Sequence, residues 1–269
     1  EGVTGTPESI TPMDITVVMQ QYDCLYGFTD QTFDMYEDDI PEQMAIQTGE
    51  RVALVNEMIV WGALRAGTNQ FYGGTGTTRA TVNGAVTLNM LRKISRSLKA
   101  NHADMIRGAL APSQDYATAP VEACYLVFGH TDLEADFRDL PGFKHVAEYG
   151  TRKVINEYEI GSVENFRILL SPDLPAIQDA GAVIGTTGLY STTGTSVDVY
   201  PIVMCGKDAW GQVMLRGMDS VDPTYLKPGD KDKNDPLGQR GYIGTTWYGQ
   251  SVILNDGWMA IAQVGATSL

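Results

Sequence analysis

His130 and Asp132, two positions apart in GHTDLE, have the chemistry of an acid/base couple or of two metal ligands. His102 and His145 supply no partner at a spacing that completes such a site. Thr131 with Glu134 three positions on also matches a capping box, so the segment has a cheaper use as the start of a short helix. Asp230, Asp232 and Asn234 have the one-three-five spacing of a calcium loop. Asp235 stands where the sixth position needs glycine, however, and Gly241 where the twelfth needs a bidentate glutamate, so an exposed charged loop is expected. The run from Gly73 to Gly76 lacks the lysine and the strand-to-helix context of a phosphate cradle. No G-x-S-x-G elbow, G-x-x-x-x-G-K-[ST] loop, H-E-x-x-H helix or dinucleotide fingerprint is present. Cys24, Cys124 and Cys205 form no C-x-x-C pair and are read as reduced thiols. With 33 acidic residues, carboxylates pair by chance in any fold. The sequence therefore gives no positive argument for an enzyme, a cofactor or a metal.

The 269 residues are 43% hydrophobic, enough to bury a real core in one large domain or two smaller ones. Their 29 glycines, 12 prolines and 13 tyrosines against 19% charged residues point to many turns and strands, and so to a mixed α and β chain. A net charge of −14 with no basic stripe opposes sequence-specific nucleic-acid binding. No apolar run approaches the ~20 residues of a membrane span and no basic-then-apolar leader opens the chain, so a soluble protein is expected.

The organising element is residues 41–67. Pro41 and Glu42 suit a first helical turn, and Gly67 offers a left-handed stop. Ala45, Gly49, Val52, Asn56, Ile59 and Ala63 recur at alternating steps of four and three, with Met44, Val55, Val60 and Leu64 broadening the face. A helix of roughly 39 Å, buried on more than one side, is expected. Before it, residues 10–28 partly alternate as an extended arm with little to bury it locally. That arm is either an edge strand folded back or one added to another subunit's sheet. Residues 29–39 predict a short helix. After the strut comes a Gly/Thr-rich loop, then a helix capped by Thr87. Leu88, Leu91, Ile94, Ser95 and Leu98 form its inner face, and Arg92, Lys93, Arg96 and Lys99 its outer one. Strands are expected at 123–128, 166–170, 197–204 and 211–215, with Pro201 pointing to an edge position and a helical turn over 174–180. Residues 242–254 and 258–264, separated by Asn255-Asp256-Gly257, read as a terminal β-hairpin.

A β-arm, a long strut helix, a Gly-rich loop, a smaller α/β region and a terminal hairpin, in that order, resemble the major capsid protein of a tailed bacteriophage. The blocks ALRAGTNQFYGG, YLVFGHTDLEADFRDLPGFKHVAEYG, EIGSVENFRILLSPDL and DPLGQRGYIGTTWYGQSVILNDGWMA are similar to the podovirus-type branch. In that family an N-terminal arm and the outgoing half of the extended loop usually precede a segment like EGVTGTPESITPMDITV. The resemblance implies an α+β fold of the Hong Kong 97 type. Its parts would be an extended-loop arm over residues 1–29, a peripheral domain over 30–83 and 219–269 with the spine helix at 41–67, and an axial domain over 84–218.

The same resemblance implies self-assembly into pentamers and hexamers of an icosahedral head in the virion, built in the bacterial cytoplasm. The head would enclose double-stranded DNA without sequence-specific binding. Decoration, scaffolding and portal proteins are possible partners, and no membrane is. No catalytic residue, cofactor or crosslinking pair carries over. Contacts between subunits are assigned to Val17, Met19, Gln21 and Tyr22 of the arm, Arg92 and Arg96 of the cationic helix, and Asp235 and Arg240 of the charged loop. The alternatives are an encapsulin-like shell around protein cargo, and a soluble hydrolase using His130 and Asp132.

Overall fold

A computed structural model of the chain describes residues 9, 11–107, 122–150, 154–185, 188–215, 221–231 and 234–269. Asp232 of the rejected calcium loop lies outside them. Among the described residues the elements are β1 (Gln20–Thr29), α1 (Asp30–Met35), α2 (Ile40–Leu64), β2 (Gln70–Tyr72), α3 (Leu88–Ala100), β3 (Tyr125–Gly129), α4 (Glu134–Arg138), β4 (Lys144–His145), β5 (Glu159–Val163), β6 (Phe166–Leu170), β7 (Tyr200–Cys205), β8 (Trp210–Met214), β9 (Asp222–Leu226), β10 (Arg240–Ile253) and β11 (Met259–Val264). They form an α+β structure around two sheets.

The first sheet runs β1-β10-β8, with β9 also on β10, and α2 lies along one of its faces. The helix starts as its sequence dictates. The Asp39 carboxylate accepts the Glu42 N–H at 3.3 Å, and Pro41 occupies the first turn, where no N–H is needed. Its 25 residues span about 37 Å. The end differs from expectation, because the helix stops at Leu64 with Arg65 still right-handed and Gly67 has no positive φ. Gly67 is needed for space instead: a Cβ there would lie 2.6 Å from Met259 Cε and 2.9 Å from Asp256 Oδ1. The inward face is corrected at two positions. Ala45 and Gly49 are exposed, but the strut is buried on two sides as expected: Trp61 and Leu64 pack with Val203 of β7 and Ile261 of β11, while Thr48 and Val52 are buried on the opposite side, against the first sheet. Trp247 anchors that side, its indole N–H donating to Asn56 Oδ1 at 3.1 Å and its ring stacking on Tyr22 at 5.8 Å.

Residues 20–29 of the expected arm are therefore local. They pair antiparallel with residues 249–240 of the same chain and leave β1 with one free edge. Residues 11–19 belong to no strand.

The second sheet has the order β2-β11-β7-β3-β6-β5-β4. On it α3 buries Leu91, Ile94 and Leu98 against Val127, Ile168, Ile202, Ala260 and Ala262, with Thr87 capping the Met90 N–H as predicted. Four expectations fail here, three of them because long-range pairing overrides local signals. Pro201 lies inside the sheet rather than at an edge. It is tolerated because β3 pairs with β7 only at residues 203–205, so the strand is paired on one side at Pro201. Residues 174–180 make no helical turn, since Ile177 bridges Val199. The cap of the turn after β3 is His130 rather than Thr131. The terminal hairpin does not exist: β10 and β11 enter different sheets through a 3-10 turn at Asp256–Trp258. The second sheet thus takes β2 and β11 from segments assigned to the peripheral domain, and the first sheet takes β8 from the axial assignment.

Burial also sets the response to alkali. Burial, reinforced by the hydrogen bond to Asp132, pushes the Tyr200 phenol up, and burial does the same to Tyr149. The Cys205 thiol is pushed by burial to about 12. Each group holds its proton more tightly folded than unfolded, so its contribution is complete below its ordinary value of 9.0 or 10.0 and is lost as pH rises beyond it. Thermal melts are expected to be flat in these groups to about pH 8 and to fall steadily through pH 10–11, with a shallower fall in Tyr200→Phe.

Candidate assembly surfaces

The acid/base pair is spent on structure. His130 Nδ1 accepts the Asp132 N–H at 3.1 Å, while Asp132 Oδ2 accepts the Tyr200 hydroxyl at 2.7 Å. The ring of His130 lies 5.5 Å from that of Tyr200, and these contacts tie the turn after β3 to β7. Among the described residues no group of three or more His, Cys, Asp or Glu stands together as a metal set. No described helix is long and apolar enough to cross a membrane.

Apolar surface that the chain leaves uncovered is its more telling feature. In β1 the even positions from Tyr22 to Phe28 turn toward α2, and in β10 Trp247 does the same. The opposite face of that sheet is open. Leu25 is 64% exposed and lies over Gly244, where an added Cβ would come within 2.8 Å of Leu25 Cδ1. Exposed Leu226 stands opposite Tyr242, and exposed Val213 opposite Gln250. Ile46, Leu54 and Met58 of α2 are exposed as well. Residues 11–19 present Met13 at 89% and Val18 at 77% exposure with no strand to hold them. Many large apolar residues left in water together with an unpaired strand edge mark a surface that another chain could cover.

The residues assigned from the sequence to subunit contacts fall in three places. Val17 and Met19 are half-exposed in the unpaired segment. Gln21 and Tyr22 sit in β1 opposite Tyr248 and Trp247, so Tyr22 already has a partner in its own chain. Arg92 is likewise engaged, its Nε 2.7 Å from Glu164 Oε1, whereas Arg96 is exposed without an ion-pair partner among the described residues. Asp235 accepts the Arg240 N–H at 2.8 Å and closes the loop leading into β10. The open sheet face was missed because its signal, alternate apolar positions in β10, is legible only once the covered side of the sheet is known.

No protein-family model matches the chain. It is 22% identical over 209 residues, 72% of its length, to the major capsid protein of Pseudomonas phage KPP21, and it spans about half (53%) of that curated relative. Among solved structures it superposes on the capsid of Ralstonia phage GP4 with a TM-score of 0.68 at 12% identity, covering 93% of this chain and 74% of that one. The holo-SrpI encapsulin complex of Synechococcus elongatus PCC 7942 is similar with a TM-score of 0.54 at 12% identity, over 93% of this chain and 75% of that one. The α+β arrangement of long helix, first sheet and second sheet is thus the Hong Kong 97-like fold seen in these shell proteins.

Proposed function

We propose that the chain is the tile of an icosahedral phage head, assembling with copies of itself into pentamers and hexamers that enclose double-stranded DNA. The carrying observation is the apolar surface left open on a chain whose two cores are already complete. In this reading residues 11–19 are the end of an extended arm lying on a neighbour, and the first sheet with α2 is the peripheral domain. The second sheet with α3 is the axial domain. Many modest contacts of this kind add through multivalency and close when their rotation closes. The net charge of −14 supports a wall that does not grip the phosphates of packaged DNA, so the duplex slides during entry and exit. Scaffolding, portal and decoration proteins are natural partners, and assembly in the host cytoplasm followed by residence in the virion is the matching life cycle.

Electron microscopy of the purified protein is expected to show closed shells of regular size. A monodisperse monomer at high concentration would overturn the proposal. The encapsulin-like reading rests on the similarity to the Synechococcus shell, and shells purified with protein cargo and no DNA would favour it. His130→Ala addresses the hydrolase alternative. Loss of the cap is expected to cost about 1 kcal/mol of stability and to leave shell formation intact.

A further inference from the structure

Where α2 meets the two sheets lies a half-open pocket of ≈ 380 Å³, within the roughly 300–1,000 Å³ range of small-molecule sites. Its walls are apolar and aromatic: Trp61 and Leu64 from α2, Phe128 and Leu170 from β3 and β6, and Trp210 from β8. Its charge gives it a chemical preference. Among the described lining residues the charged ones are Glu57 and Asp173, both acidic, with no Lys, Arg or His. Tyr158 adds a half-exposed aromatic ring.

From this arrangement we infer that the pocket is a binding site for a small cationic amphiphile. The apolar or aryl body of the ligand fills the space beside Trp61 and Trp210, and an ammonium group sits near Glu57 and Asp173. An anionic ligand of the same shape is disfavoured by the two carboxylates. Because the walls come from α2, from β8 of the first sheet and from β3 and β6 of the second, an occupant braces the two sheets against each other. Such binding needs only the single chain and is independent of shell formation.

The test is calorimetric titration of the purified, unassembled chain with 4-methoxyphenethylamine, which carries an ammonium and an aryl body. 4-Methoxyphenylacetate serves as its anionic counterpart. For a ligand of this size, saturable binding with Kd on the order of 1 mM or tighter is expected, with the acetate at least about tenfold weaker. Leu174→Trp, which places a ring beside the half-buried lining position of Leu174, is expected to abolish binding. Glu57→Gln with Asp173→Asn removes charge without emptying the core. It should bring the two ligands to within about threefold of each other. No saturable heat for the amine, equal affinity for both ligands in the parent chain, or binding unchanged in a folded Leu174→Trp would each overturn the inference. Should Leu174→Trp fail to fold, the rim double variant decides alone, and a retained tenfold preference there overturns it.

Discussion

Val17→Asp is expected to leave the unfolding transition of the isolated chain within about 0.5 kcal/mol of the parent and to reduce closed shells at least about a hundredfold. The half-exposed Val17 lies in the segment 11–19, which belongs to no strand, so little of its own fold depends on it. In a shell the same side chain would be desolvated against a neighbour at every copy, and a buried unpaired charge at each contact would be multiplied by the number of contacts. Trp247→Ala is the control on the other side of the argument. Trp247 is buried, stacks on Tyr22 and satisfies Asn56, so its loss is expected to cost about 3–5 kcal/mol and to unfold the first sheet before any assembly begins. Urea titrations with electron microscopy of the same preparations separate the two. Equal destabilisation by both substitutions would mean that the arm belongs to its own domain.

The second large effect is expected at Arg167. Its side chain is 4% exposed and stands 3.6 Å from Glu159, whose side chain is 0% exposed. Glu159 also accepts the Tyr149 hydroxyl and the Ile155 N–H, each at 2.7 Å, and the guanidinium lies 5.3 Å from the Tyr149 ring centroid. Such a pair gains little over an apolar one, yet removing one partner leaves a charge buried without compensation. Arg167→Met is therefore expected to destabilise the chain by about 3–5 kcal/mol. Adding Glu159→Gln should recover part of that loss, because no net charge then remains inside. Denaturant titrations of the two variants provide the measurement. A cost below about 1 kcal/mol for Arg167→Met would show that water reaches the pair.

Several of these elements are legible in the chain of residues alone. Thr87 with Leu91, Ile94 and Leu98 specifies α3 and its inner face, because cap and periodicity both lie within a few turns of chain. Pro41 and Glu42 mark the start of α2 for the same reason, whereas the cap itself, Asp39, emerges only in the structure. The failures share a different origin. Gly67 has the local signature of a helix stop, but its requirement comes from Met259 and Asp256 on the far side of the sequence. His130 displaces Thr131 as the cap, and both are compatible with the local pattern until Tyr200 engages Asp132. For the assembly surface, the arm is visible as apolar residues without a local partner. The open face of the first sheet is not, since an alternating strand does not say which of its faces is covered.

By itself, the sequence determined the helices, most strand positions, the absence of familiar catalytic and phosphate-binding motifs, and an order of elements resembling a capsid tile. Only the tertiary structure decided that residues 20–29 pair at home, that β10 and β11 part into separate sheets, and which apolar faces stay open. Helical periodicity and caps are short-range and are written in neighbouring residues. Sheet membership is set by partners far away in the chain, such as the Thr68 N–H that donates to Asp256 Oδ2 at 2.9 Å across 188 positions and holds the turn that divides the two strands.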